Sequence, residues 1–221
     1  DFSEPIVYLP NTYWFNDSTK EISDRHFSRA ELGLPDDRFV FCCFNNSYKI
    51  TPDVFDIWMR LLSSVEGSVL WLLEGNLIAA DNLRREAEKR GVSPDRLVFA
   101  PRMALPDHLA RHRQADLFLD TFYYNAHTTA SDALWAGLPV LTCPGETFAS
   151  RVAASMLNAI GLPDLITQSP AGYEALAMEL ANNLPKLAGI KARLEKNRRT
   201  YPLFDTALFT RHIETAYSSM W

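Results

Sequence analysis

The chain has 221 residues, 47% of them hydrophobic and 22% charged, and a formal net charge of -5. That is enough apolar material for a sizeable core in one large domain or two small ones, without the low hydrophobicity of a disordered chain. The acidic balance offers no basic surface for nucleic acid, and no apolar run nears the roughly 20 residues of a membrane span, so neither partner is expected. The first residue is Asp1, with no signal-peptide pattern and no start methionine, as in a piece of a longer chain. Three cysteines, with Cys42 and Cys43 adjacent in an apolar run, read as buried free thiols in a reducing compartment, the cytoplasm, rather than a disulfide scaffold.

A strand is predicted at Ile6 to Leu9, followed by a polar, turn-rich connecting stretch; together they make a segment 1–38. From residue 39 short apolar runs alternate with amphipathic segments. The pattern predicts strand Phe39 to Phe44, helix Pro52 to Val65 with Phe55, Trp58, Leu62 and Val65 on one face, and strand Ser68 to Leu73. A charged helix from about Ala80 to Arg90 is closed by Gly91. Strand Leu97 to Phe99, helix Pro106 to Arg113, strand Leu117 to Asp120 and helix Thr129 to Trp135 follow. Then come strand Val140 to Thr142, helix Phe148 to Ile160 and a short strand at Leu165-Ile166. Strands apolar on both faces and separated by helices mean a doubly wound parallel α/β sheet covered on both sides, over residues 39–221. Three helices end the chain: Ala171 to Leu184, Leu187 to Arg199 and Thr206 to Trp221. The last carries Phe209, Ile213, Tyr217 and Trp221 as one apolar stripe, which packs either on its own domain or on a partner lobe.

Doubly wound sheets bind ligands at the carboxyl ends of their strands. None of the nine glycines forms G-x-G-x-x-G and no Gly-Lys-Ser/Thr occurs, so the dinucleotide fingerprint and the Walker loop are absent. Thr129 and Asp132 stand at capping-box spacing where a helix starts at this edge. Such a helix start presents N–H groups and a positive dipole end to an anion, ideally a phosphate, with the Thr128 and Thr129 hydroxyls as extra donors; an ordinary capped helix is the alternative. Lys49, after the first central strand, brings one ammonium near the same edge. His108 and His112 have the i, i+4 spacing of metal ligands, but no third ligand is near and the H-E-x-x-H glutamate is missing, so no metal is expected there; an aromatic platform for a base is the other reading.

The runs Asn46-Ser-Tyr-Lys-Ile-Thr-Pro52, Val69-Leu-Trp-Leu-Leu73, Ala126-His-Thr-Thr129, Asp132-Ala-Leu-Trp-Ala-Gly-Leu-Pro139, Pro144-Gly-Glu-Thr147 and Ala149-Ser-Arg-Val-Ala-Ala-Ser155 resemble, in order, the O-linked N-acetylglucosamine transferase family, which includes SPINDLY-like members. The resemblance runs from about residue 39 to the end. It implies the Rossmann-like C-terminal lobe of a two-lobed, B-type, inverting glycosyltransferase, which in the family follows tetratricopeptide repeats. The lobe holds a uridine diphosphate sugar for transfer to Ser and Thr of proteins. By resemblance, Lys49 contacts the diphosphate and stabilises the leaving group, and Asn46 also reaches the donor. His108 lies against the uracil, the backbone at Met103 reads the base edge, and Arg111 supports that loop. His127, Thr128 and Thr129 hold the diphosphate and Asp132 the ribose. The family uses no metal or other cofactor; the lysine and the helix end do that work.

Two positions depart from the animal members: Leu105 stands where they have lysine, and Tyr124 replaces a smaller residue near the sugar's N-acetyl group. Related O-fucosyltransferases use guanosine diphosphate fucose and lack the histidine before the paired threonines, so His127 favours N-acetylglucosamine. The family's N-terminal lobe and repeats, with their catalytic histidines and acceptor site, have no counterpart in these residues. The fragment alone is therefore expected to bind nucleotide and turn over little. A fucosyltransferase lobe, a non-catalytic interaction domain docking through the terminal stripe, and a sugar-nucleotide epimerase are the competing possibilities.

Overall fold

The computed structural model describes residues 3–221. Five parallel strands, β1 (Val40–Cys43), β2 (Val69–Leu73), β3 (Leu97–Ala100), β4 (Leu117–Leu119) and β5 (Val140–Leu141), stand in the order β3-β2-β1-β4-β5. Cys42 pairs with Trp71 on one side and Phe118 on the other, which puts β1 at the centre. Cys42 and Cys43 face opposite sides of the sheet and both are fully buried, so β1 is covered on both faces, as its uninterrupted apolar run requires. The predicted strand Leu165-Ile166 contributes only a single parallel bridge, Thr142 with Ile166, beyond β5.

Helices connect and cover the strands: α1 (Pro52–Ser64), α2 (Leu77–Lys89), α3 (Leu105–Arg111), α4 (Thr128–Trp135) and α5 (Val152–Ala159). Helix α2 begins three residues before its predicted start because the Asn76 side chain accepts from the Ala79 amide at 2.7 Å and caps it. It ends as expected: Gly91 has φ of 75°, and Val92 N–H returns to Ala87 O at 3.0 Å. The predicted helix Phe148 to Ile160 divides at Arg151, whose φ of -121° separates a 3-10 turn, Phe148–Ser150, from α5.

The last three helices are α6 (Pro170–Asn182), α7 (Leu184–Asn197) and α8 (Thr206–Met220). Helix α6 packs on α1, where Arg60 forks onto Glu174 at 2.8 and 2.7 Å and Trp58 Nε1 donates to Tyr173 Oη at 3.2 Å. The terminal stripe is not buried by its own domain. Phe209 lies 5.8 Å from the ring of Phe15, while Tyr217 and Trp221 are exposed.

The strand predicted at Ile6 to Leu9 does not form: Ile6 is 58% and Tyr8 85% exposed, and no strand pairs with the segment. Pro5 and Pro10 bracket it and lack the amide donors that extend a ladder. The residues after it are tied down. Asn16 is buried and donates to Leu203 O at 2.9 Å, while its own carbonyl accepts from Thr206 Oγ1 at 3.0 Å.

From β1 the chain winds outward through β2 and β3, then returns to β4 on the other side of β1. The order therefore reverses between β1 and β4, and the crevice at their carboxyl ends is where such sheets hold ligands.

Candidate functional site

Asn45, just after β1, spans that crevice. Its amide donates to Thr121 Oγ1 at 2.9 Å, just after β4, and its oxygen accepts from Thr129 Oγ1 at the start of α4. Asp120, at the end of β4, organises the loop that follows. Its Oδ1 accepts from the amides of Thr121 (2.8 Å) and Ala126 (2.6 Å), and its Oδ2 from Thr142 Oγ1 (2.7 Å). Burial pushes its carboxyl up to about 7, against the pull of these hydrogen bonds and of Lys49.

Lys49 closes a 3-10 turn, Ser47–Lys49, beside this loop. Its Nζ donates to Asn125 O at 2.9 Å and sits 3.8 Å from the centre of the Tyr124 ring, which also stacks with Tyr48 at 6.4 Å. Partial burial lowers the lysine's pKa, opposed chiefly by Asp120.

The capping box predicted at Thr129 and Asp132 is not made. Thr128 is already helical, the N-cap is His127, and no side chain caps α4. The two residues are used at longer range, Thr129 on Asn45 and Asp132 on Lys20, whose Nζ reaches Asp132 Oδ1 at 2.7 Å. The first turn of α4 thus keeps uncapped N–H groups at the carboxyl edge of the sheet, the arrangement that suits an anion. His127 flanks it. Its Nε2–H donates to Ala149 O at 3.2 Å, its ring meets the edges of Tyr124 (4.9 Å) and Trp14 (5.5 Å), and burial lowers its pKa.

Next to this helix end lies a cavity of about 320 Å³, bordered by Phe44, Asn46, Met103, Leu105, His108 and Thr129 among others. Arg111 reaches it from beneath. The structure therefore brings Asn46, Met103, His108, Arg111 and Thr129 to one cavity, with Lys49, His127 and Thr128 beside it. Asp132 lies further along α4, buried against the N-terminal segment. His108 and His112 each use Nδ1 in a hydrogen bond, and among the described residues no three His, Cys, Asp or Glu side chains gather as a ligand set.

Sequence reasoning missed Asn45, Asp120 and Lys20. Asp120 carries a signal, a lone carboxylate closing the apolar run Leu117-Phe118-Leu119. Lys20 carries none, since its partner is 112 residues away.

A family profile described as Glycosyl transferase family 41 matches residues 20–213. The chain belongs to glycosyl transferase family 41. A probable UDP-N-acetylglucosamine–peptide N-acetylglucosaminyltransferase, SEC, of Arabidopsis thaliana is 39% identical over all of this chain and 23% of its own length. A UDP-N-acetylglucosamine–peptide N-acetylglucosaminyltransferase of Caenorhabditis elegans is 39% identical over 88% of the chain and 17% of its own length. Among solved structures, the Thermobaculum terrenum O-GlcNAc transferase, as a K341M mutant, superposes with a TM-score of 0.81 at 31% identity, over 97% of this chain and 39% of that one. The chain thus spans a quarter or less of these curated family 41 relatives. Its fold is that of one lobe of a B-type glycosyltransferase.

Proposed function

We propose that these residues form the donor-binding lobe of a protein O-glycosyltransferase that uses uridine diphosphate N-acetylglucosamine. The observation that carries it is the uncapped N-terminus of α4 standing with Lys49 beside a base-sized cavity, at the point where the strand order reverses. The names of the family 41 relatives supply the sugar and the protein acceptor.

In this reading the base enters the cavity against His108 and the Met103 backbone, next to Asn46, and Arg111 holds His108 from below. The diphosphate lies on His127, Thr128 and Thr129. Asp132 takes the ribose, sharing its carboxylate with Lys20. When an acceptor hydroxyl attacks the anomeric carbon and the bond to the phosphate oxygen breaks, negative charge grows on the leaving diphosphate. Lys49 and the end of α4 meet that charge in a fixed, partly dry setting, stabilising the transition state more than the bound donor. We place the base that takes the hydroxyl proton in the remainder of the full-length protein, along with the acceptor site. No metal is assigned a part, because the lysine and the helix end carry the counter-charge. We assign the protein to the cytoplasm, on the strength of three free, buried cysteines; no described helix is long and apolar enough to cross a membrane.

Calorimetry with uridine diphosphate and its N-acetylglucosamine ester tests this directly. Binding by the wild-type chain and at least a tenfold loss in Lys49→Met, with its fold intact by circular dichroism, are the expected results. No binding by the wild type, or equal binding by the variant, refutes it.

A further inference from the structure

Arg111 is completely buried, yet no carboxylate pairs with it among the described residues. Its guanidinium lies 4.6 Å from the centre of the Phe44 ring and makes two hydrogen bonds, Nη1 to Pro101 O and Nη2 to His108 Nδ1, each 2.6 Å long. A guanidinium has only donors to offer. The acceptor must therefore be a lone pair on His108 Nδ1, and the proton of the neutral ring sits on Nε2.

The next turn of the chain reinforces this. His112 Nδ1 donates to His108 O at 2.7 Å, because a carbonyl can only accept, so the histidine backbone is fixed as well as its ring. Phe44 packs 5.2 Å from the His108 ring centre. The remaining Nε2–H makes no hydrogen bond among the described residues, and the ring borders the cavity.

We propose that Arg111 is a positioning residue that locks His108 in its neutral Nε2–H tautomer, so that the cavity meets a nucleobase with an uncharged ring and one free N–H donor. The base pocket is the one assigned above, and the inference rests on that reading for its ligand but not for the lock itself.

Adding a second proton to His108 would place an N–H against the N–H of Arg111. The charged or titratable groups acting on the ring are Arg111 of its own helix, His112 of the 3-10 turn that follows and Arg102 of the preceding loop, all of which oppose a positive charge. The neighbouring Asp107 forms no ion pair among the described residues, and the residues that share the cavity with the ring from the ends of β1 and β2 and from α4, namely Phe44, Asn46, Leu73 and Thr129, are uncharged. Burial and these neighbouring groups together hold the imidazole pKa down at about 3. His108 therefore stays neutral wherever the protein is folded and working.

The test is nitrogen NMR of the histidine-labelled chain, free of ligand, from pH 5 to 8. The expected wild-type spectrum has His108 protonated at Nε2 alone with no titration across that range. Lys substituted for Arg111 keeps the positive charge but cannot serve Pro101 O and His108 Nδ1 with the same planar fork. In Arg111→Lys, His108 is expected to begin titrating within the window. The affinity for uridine diphosphate N-acetylglucosamine, whose phosphates do not titrate there, is then expected to fall at least threefold further between pH 8 and 5.5 than it does in wild type. A wild-type His108 that carries its proton on Nδ1, or that titrates in the window, overturns the lock. So does a folded Arg111→Lys whose histidine spectrum is unchanged. The expected tautomer in a chain that binds no nucleotide at any pH supports the lock and refutes the donor-site reading instead.

Discussion

Replacing Asp120 by Asn isolates a buried carboxyl whose titration falls in the physiological range. The side chain is fully buried, and burial raises its pKa from an ordinary 3.8 to about 7. Between those values the unfolded chain has lost the proton and the folded one retains it. The native state binds more protons, so stability falls as pH rises through the interval and levels off above about 7. The gap converts to roughly 4 kcal/mol, of which about 2 to 3 kcal/mol falls between pH 5 and 8. His108 and His112 act in the opposite sense. Burial lowers them from 6.5 to about 3 and about 4, so their contribution is present above 6.5 and is lost as pH falls.

These trends cancel in part, and the wild-type curve alone hides Asp120; the difference between wild type and Asp120→Asn does not. The variant suits the site. Both backbone amides point at Oδ1, which Asn keeps, and only the Thr142 hydroxyl faces Oδ2, where it can rotate to accept from the new amide. Urea denaturation at pH 5, 6, 7 and 8 is expected to show the variant gaining on the wild type by about 2 to 3 kcal/mol over that range. Curves that stay parallel within about 0.5 kcal/mol would show that Asp120 is ionised throughout and that its three close donors outweigh its burial.

Lys20 and Asp132 form a largely buried ion pair at 2.7 Å, so a double-mutant cycle with Lys20→Met and Asp132→Asn is expected to give a coupling energy of about 1 to 2 kcal/mol in denaturant, and additive losses would dissolve the pair. Tyr124→Ala removes the ring from the Lys49 ammonium, a contact worth about 0.5 to 2 kcal/mol. The expected outcome is a changed ratio of sugar-nucleotide to free diphosphate affinity, measured by calorimetry, whereas an unchanged ratio places the ring outside the sugar's reach. Asn16→Ala strips partners from Ser131 and from the Leu203 carbonyl and should cost about 1 to 3 kcal/mol in urea denaturation.

The sheet was legible because β1, β2 and β4 are apolar on both faces and bounded by polar turns, which only a covered parallel sheet explains. Helix ends were less so. A side-chain cap such as Asn76 moves a boundary by three residues without altering the apolar pattern. Thr129 and Asp132 misled in a more instructive way. Their spacing fits a local capping box, but Asn45 and Lys20, 84 and 112 residues away in sequence, outcompete the local partners. The stretch between Leu9 and β1 reads as a connection because it is polar and turn-rich. Its attachment is made by individual polar side chains, Thr12, Asn16 and Lys20, whose partners no window of sequence contains.

Those attachments bear on the site through α4. Asn16 grips Ser131, Lys20 grips Asp132 and gives its carbonyl to Trp135 Nε1 at 3.0 Å, and Trp14 rests on His127. His127, Ser131 and Trp135 recur every four residues, so the segment runs along one stripe of the helix from its first turn to its last. The crevice side of the same helix is held by Thr129 on Asn45. A helix of only eight residues with no N-cap side chain gains little from its own hydrogen bonds. Its direction, and hence where its free N–H groups aim, is set by this grip from both sides. Loosening the N-terminal segment should therefore weaken anion binding at the far side of α4 without altering any residue that touches the anion. Trp14→Ala, which contacts His127 from outside the cavity, separates that coupling from direct loss of a ligand contact. A diphosphate affinity that falls while the variant is still folded by circular dichroism is the expected signature, and unchanged affinity would mean that Asn45 alone sets the helix.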